Sequence, residues 1–278
     1  MSEWSLKGRE VVITGASDGI GRATARALAG SGAGLLLVGR NRPRYLPVLD
    51  EIRSGGGEAE LIEADLADLS SVAAAGRQLA SRSPAPAVLI NNAATTGRGG
   101  TRDGFDLAFG VNHLAHFLLT RLLLPGLAEG GPARILNLSS NAHYGLRSFT
   151  WEEAAPRHLT FSGFTQYRRS KAANIAFTVE LSRRLAGSEV IALAIHPGVV
   201  ATGLYDRLPR PWRGWVKAGM ASPEQGAVVT IECATVPWVE AGAYYTPEGI
   251  RSPAPYASSA ESAHQLWNLS ERLVQPWL

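Results

Sequence analysis

A chain of 278 residues with 45% hydrophobic content is long enough to bury a large core in one α/β domain. Its 27 basic and 24 acidic residues leave a net charge of +3, scattered without long runs of one sign, which argues against nucleic acid or an acidic partner. One cysteine, Cys233, excludes an internal disulfide and a thiolate metal site, and the histidines lack metal-ligand spacing, so no metal is expected.

The start, MSEWSLKGRE, has neither a signal-peptide stretch nor a twin arginine, so no membrane anchor is expected and the cytoplasm is the expected location. Apolar runs of strand length then alternate with segments of helical period. Strands are expected at 10–15, 34–39, 58–64, 87–91, 133–139, 189–195 and 241–246, and helices near 19–31, 43–54, 68–82, 103–128, 164–186, 223–235 and 259–274. Continuous apolar strands suit a parallel sheet covered on both faces. Strict βαβ alternation predicts one doubly wound domain over residues 1–278, with its ligand crevice beyond the carboxyl ends of the strands. HFLLTRLLLPGL, interrupted by Arg121 and Pro125, falls short of the roughly 20 residues of a membrane span and predicts a buried helix.

The first strand runs into TGASDGIG, residues 14–21. Gly15 permits a tight turn, while Gly19 and Gly21 let backbone approach a pyrophosphate at a helix N-terminus. The second strand ends in VGRN without a carboxylate to hold both ribose hydroxyls of NAD. Arg40 is placed to fork onto a 2'-phosphate, which predicts NADP, with NADPH preferred over NADH. The alternative is that Arg40, Arg42 and Arg44 form the solvated start of a helix. Asp65 can accept from an adenine amino group and Asn91 ends the fourth strand at the same crevice, although either can instead satisfy loop backbone.

Farther along, Asn112 is a polar residue in an apolar helix and requires a partner. ILNLSSNAH leads a buried strand into Ser139 and Ser140. QYRRSK sets Tyr167 and Lys171 four positions apart, hence on one helix face. Lys171 is one of only three lysines, with Lys7 and Lys217, among the 27 basic residues. A cation held close to a phenol favours phenolate and lowers its pKa, as suits a group that gives and recovers a proton. Arg168 and Arg169 are expected at the surface. Two aromatic-rich segments, 143–164 and 199–221, follow strand ends and are expected to cover an apolar substrate, with His143, Tyr144, Leu204, Trp212 and Trp215 as candidate contacts. The alternative is that Trp212 and Trp215 pack on the domain body or in a dimer contact, and that His143 is satisfied by backbone.

TGASDGIG, NNAA (91–94), Asn112, Ser140, Tyr167-x-x-x-Lys171 and HPGVVATG (196–203) together resemble the short-chain dehydrogenase/reductase family, in order and over the whole chain. DGFDLAFGVNHLAHFLLTRLLLP, NLSSNAH, the long interval between Ser140 and Tyr167, and SAHQLWNLSERL are similar to its retinol dehydrogenase and WW-domain oxidoreductase-like branch. The resemblance implies a Rossmann fold, a nicotinamide cofactor, and a catalytic tetrad of Asn112, Ser140, Tyr167 and Lys171, Ser140 being the second of the serine pair. It places Gly15, Ile20, Asp65, Asn91 and Thr202 at cofactor-contact positions, with Ser17, Asp18, Leu66, Ala93 and Val200 beside them, and Pro197 and Gly198 in the turn next to the nicotinamide. It further implies that Asn112 positions a water linking Lys171 to solvent, and that the helices at 103–128 and 164–186 form the surface of a homodimer or homotetramer. Ala94 departs from the family's usual glycine, and the apolar N-terminal segment of the membrane-anchored members has no counterpart in MSEWSLKGRE.

The expected function is NADP-dependent interconversion of a carbonyl and a primary or secondary alcohol on an apolar, bulky small molecule. The alternative is a non-redox tailoring enzyme, or a cofactor-sensing protein, that keeps NADP as scaffold.

Overall fold

In the computed structural model, which describes residues 4–146, 149–155, 163–200 and 220–278, the expected strands become β1 (Glu10–Thr14), β2 (Gly34–Gly39), β3 (Glu58–Glu63), β4 (Val88–Asn91), β5 (Ala133–Leu138), β6 (Val190–Ile195) and β7 (Tyr244–Thr246). With β8 (Gly249–Arg251) they form one sheet in the order β3-β2-β1-β4-β5-β6-β7-β8. Pairing is parallel from β3 through β7, with Val12 opposite Leu36 and Leu89. The sequence reading missed β8, which runs antiparallel to β7. Its signal is the turn Pro247-Glu248-Gly249, closed by the Thr246 hydroxyl accepting from Glu248 N–H and by Gly249 at φ +103°, a conformation that favours glycine.

The helices are α1 (Gly19–Gly30), α2 (Arg42–Ser54), α3 (Leu69–Ala80), α4 (Leu107–Glu129), α5 (Gly163–Arg184), α6 (Pro223–Thr235), the short α7 (Pro255–Ser258) and α8 (Ala260–Val274). Their starts follow side-chain caps. Asp18, Asn41, Asp68, Asp106, Ser222 and Ser259 each accept from backbone N–H groups of the first turn, satisfying donors a helix cannot pair internally. The Asp106 cap explains why α4 begins at Leu107, later than the 103 expected.

Side chains alternate across the strands, so both faces are buried. Val12, Leu36 and Leu89 face α3, α4, α5 and α8, while Val11, Ile13, Leu35 and Leu37 face α1, α2 and α6. At 23 residues α4 is long and apolar enough to cross a bilayer, contrary to the shorter run read from the sequence, because Pro125 lies within the helix without ending it. Of its most apolar stretch 72% is buried inside the protein.

On the helices where a dimer surface is expected, 103–128 and 164–186, one groove is covered from within the chain. α8 lies in the groove between α4 and α5, where Trp267 packs on Phe117 and Phe177 at 5.0 and 6.0 Å between ring centroids. Arg121 and Arg184 hold their guanidinium groups over Trp267. Arg121 also pairs with Glu271 and His113 with Ser270. α8 thereby takes the apolar side chains of this groove out of water from within the chain.

Candidate active site

The carboxyl ends of the strands open on two adjoining cavities of about 320 and 310 Å3 that share Gly15, Ser17, Arg44, Ala93 and Ala94, and so form one crevice. A larger hollow of about 590 Å3 lies at the opposite, amino ends, but its Arg82 is spent on Glu10 and Glu60. Ligands of open α/β sheets bind at the carboxyl ends.

One end of the crevice suits an anion. Gly15 takes φ +69°, and a Cβ there would lie 2.8 Å from the Ala93 Cα. A Cβ on Gly21 would lie 2.5 Å from both Asn92 Nδ2 and the Gly15 carbonyl oxygen. The turn and α1 therefore approach β4 as no side chain would permit. Asp18 takes the Gly19 N–H at 2.7 Å, leaving the N–H groups of Ile20 and Gly21, which the first helical turn cannot pair, and the positive end of the helix dipole. The residues present therefore fit the pyrophosphate of a dinucleotide. Leu66 and Tyr45 line the adjoining cavity, where Arg40 pairs with Asp65 at 3.2 Å. Asp65 also accepts from Ala67 N–H, so both roles weighed for it are compatible. Arg44, grouped in the sequence reading with a solvated helix start, lines both cavities and points at Asp18 from 3.5 Å. Its signal was the four-residue spacing from Arg40.

Asn91 differs from expectation. Its side chain is 1% exposed and donates to Thr120 and Asn137, tying β4 to α4 and β5 instead of reaching the crevice, because the side chain of a strand's last residue still follows the sheet's alternation. Asn92 faces the crevice instead, bonded to Thr14 and Gly15 carbonyls. Ile20 and Pro197 line the crevice wall. Gly198 turns at φ +87°, and Val200 is buried against Gly226 of α6. Thr202, Leu204, Trp212 and Trp215 lie outside the described residues.

At the other end β5, α4 and α5 bring the four tetrad positions together. Lys171 is 2% exposed, its Nζ 2.8 Å from the Leu138 carbonyl oxygen and 5.6 Å from the Tyr167 ring centroid. Burial pushes its pKa down to about 7. Tyr167, 8% exposed, stacks on Phe164 at 6.0 Å and 14°. The two serines separate by their partners. Ser139 is buried and donates to the Lys171 carbonyl at 2.7 Å. Ser140 is half-buried and its Oγ accepts from Ala142 N–H at 3.2 Å, which leaves its proton to give. Asn112 finds the partners its burial demands: its Oδ1 accepts from Thr95 N–H, while Nδ2 donates to the Thr95 carbonyl and to Ser170 Oγ. Ser170, absent from the sequence reading, passes this contact to the Tyr167 carbonyl. It is a fully buried hydroxyl on the same helix face as the apolar residues, and that placement was its signal.

His143, expected among substrate contacts, has another role. It is 0% exposed, with Nδ1 2.7 Å from the Ser140 carbonyl oxygen and Nε2 3.2 Å from Ala254 N–H. An N–H donor facing Nε2 requires a lone pair there, so the proton sits on Nδ1 and the neutral ring holds Ser140 from behind. Burial lowers its pKa accordingly. Tyr144 keeps an exposed ring, its hydroxyl tied to Ser252. Arg169 is likewise no surface residue: 6% exposed, it donates to the carbonyl and carboxylate of Glu153 and lies over Phe149. The segment 149–155 is thus pinned beside Tyr167, and Trp151 pins it again through Ser262 of α8.

Known proteins share this sequence pattern and fold. A family profile described as short chain dehydrogenase matches residues 9–211. Retinol dehydrogenase 14 of Mus musculus is 38% identical, over 97% of this chain and 86% of its own. A solved structure of a putative uncharacterized protein from Mycobacterium paratuberculosis superposes with a TM-score of 0.79 at 35% identity, covering 99% of this chain and 96% of that one. A second, of a putative NAD(P)-dependent gluconate 5-dehydrogenase from Beutenbergia cavernae with bound NADP, superposes with a TM-score of 0.68 at 32% identity, covering 83% and 91%. With a matching profile over most of its length, a mostly parallel sheet and a glycine turn opening its first helix, this chain belongs to the short-chain dehydrogenase family of oxidoreductases.

Proposed function

We propose that this protein uses NADP(H) to interconvert a carbonyl and a primary or secondary alcohol on an apolar, bulky small molecule. The observation that carries the proposal is a crevice lined at one end by Tyr167, the buried Lys171 and Ser139, the neighbour of Ser140, and at its other end by a helix N-terminus. When bound, the nicotinamide cofactor supplies or takes up hydride; Gly15, Ser17, Gly19 and Gly21 would hold its pyrophosphate and Lys171 its ribose. Two guanidinium groups, Arg40 and Arg44, at the far cavity support NADP over NAD, since a planar fork matches a phosphate. The bound NADP of the Beutenbergia cavernae structure is in keeping with this.

In the proposed reduction, Ser140 donates a hydrogen bond to the substrate oxygen and Tyr167 gives its proton to the oxygen as it becomes an alkoxide. Lys171, cationic below about pH 7, favours the phenolate left behind. Both donors act where negative charge develops, so they stabilise the transition state more than the bound substrate. The exposed Phe164, stacked on Tyr167, supports an apolar substrate at this end. We further propose a cytoplasmic protein that acts without a dimer across α4 and α5, given the cover supplied by α8.

The test is the loss of NADPH absorbance with a panel of apolar aldehydes and ketones. Tyr167→Phe should lose about 100-fold or more in turnover while binding NADPH as tightly as the parent chain; undiminished turnover would refute the tyrosine's role. Tight NADPH retention with no carbonyl reduced would favour the scaffold alternative.

A further inference from the structure

Outside the tetrad, one buried histidine is joined to both halves of the crevice. His116 of α4 is 1% exposed. Its Nε2 lies 2.9 Å from Thr14 Oγ1 and its Nδ1 lies 3.0 Å from the Asn112 carbonyl oxygen. The position of its proton follows by elimination. Thr14 Oγ1 already accepts from the backbone N–H groups of Asn92 and Ala93, each at 3.0 Å, which occupies both hydroxyl lone pairs. The hydroxyl proton must then point outward, and Nε2 at 2.9 Å is a better acceptor than the Ile90 carbonyl at 3.5 Å. Nε2 is thus unprotonated, and Nδ1–H donates to Asn112. Burial keeps the ring neutral, with its pKa lowered to about 4.

The receiving carbonyl sits in a special turn. Residues Gly110–Leu114 form a π-turn inside α4, where Ala115 N–H reaches back to Gly110, and such turns mark functional sites in helices. We propose that His116 is a positioning residue: a one-directional hydrogen-bond strut running from the crevice floor at Asn92 and Ala93, through Thr14, to the main chain of Asn112. It touches neither substrate nor cofactor. Its kinetic consequence rests on the oxidoreductase function proposed above; its hydrogen bonds do not.

The two ends of the strut can be cut separately. An asparagine amide nitrogen overlies imidazole Nδ1, and a glutamine amide oxygen overlies Nε2. H116N therefore keeps the donor to Asn112 and releases Thr14, whereas H116Q keeps the acceptor for Thr14 and releases Asn112. H116N should weaken NADPH binding about tenfold with kcat within about twofold. H116Q should lower kcat about tenfold with NADPH affinity within about twofold, tenfold being the size expected for one lost buried hydrogen bond. A purely structural histidine predicts equal changes in both parameters, or none, for the two folded variants, and either result would overturn the strut. Nitrogen-15 NMR of the imidazole in the unmutated protein needs neither a substrate nor a stable variant. An Nδ1–H tautomer that does not titrate near neutrality is expected, and an Nε2–H tautomer would refute the assignment even if the protein proved to have no redox activity.

Discussion

Replacing Lys171 by methionine should change how stability depends on pH, and the direction follows from burial. The ammonium is 2% exposed and its pKa is lowered from 10.5 to about 7 by desolvation. Between those values the unfolded chain holds a proton that the folded chain has shed, so the free energy of unfolding rises with pH. The contribution is complete above about pH 10.5 and is lost as pH falls to about 7. At about 1.4 kcal/mol per pH unit the interval is worth at most about 5 kcal/mol, and relaxation around the charge leaves ~2–5 kcal/mol. Urea unfolding of the cofactor-free protein, measured as parent minus Lys171→Met from pH 7 to 10.5, isolates this group because all others cancel. The difference should climb by that amount across the window. The bond from Nζ to Leu138, absent from the variant throughout, shifts the curve by about 1 kcal/mol with little tilt. A flat difference would refute the claim that Lys171 is desolvated, and with it the reason a lysine can exchange protons near neutrality here.

Arg40→Ala removes one guanidinium from the far cavity, and the ratio of kcat/KM for NADPH over NADH should fall about tenfold; an unchanged ratio would assign 2'-phosphate recognition elsewhere. Gly15→Ala places a Cβ 2.8 Å from the Ala93 backbone at φ +69°, and calorimetric titration should show NADPH binding lost. Gly56→Ala, at φ +81° with open space around it, is the control: about 1–2 kcal/mol of backbone cost and unchanged binding. Trp267→Ala should cost about 3–5 kcal/mol of stability, and light scattering should find the intact chain monomeric, with association appearing only in the variant. An intact dimer joined across α4 and α5 would refute the covering role of α8.

Much of this was legible in the sequence because the strands are covered on both faces. Val11 through Ile13 and Leu35 through Val38 read as unbroken apolar runs for that reason, and the caps Asp18, Asp68 and Ser222 mark the helix starts that follow. The four-residue spacing of Tyr167 and Lys171 and the polar Asn112 in an apolar helix were visible in the sequence, but only the family resemblance joined them with Ser140. What the sequence hid were contacts between residues far apart in the chain. Nothing near His143 announces that the Ala254 N–H will fix its ring, and nothing near Arg169 announces Glu153, 16 residues upstream. The place of α8 was hidden in the same way: its apolar stripe was visible, but which groove would receive it depends on Phe117 and Phe177, some 90 to 150 positions away.

That placement orders events in time as well as space. The helix that seals the groove between α4 and α5 is made after every strand of the sheet, and its Ser262 also anchors Trp151. A nascent chain complete through β8 would carry the whole glycine turn and all four tetrad side chains, yet it would still expose Phe117 and Phe177 to solvent and leave the segment beside Tyr167 without its second anchor. Such an intermediate is open to misassociation through its bare aromatic groove. Synthesis of α8 therefore closes this risk and supplies the second anchor of the 149–155 segment in a single step.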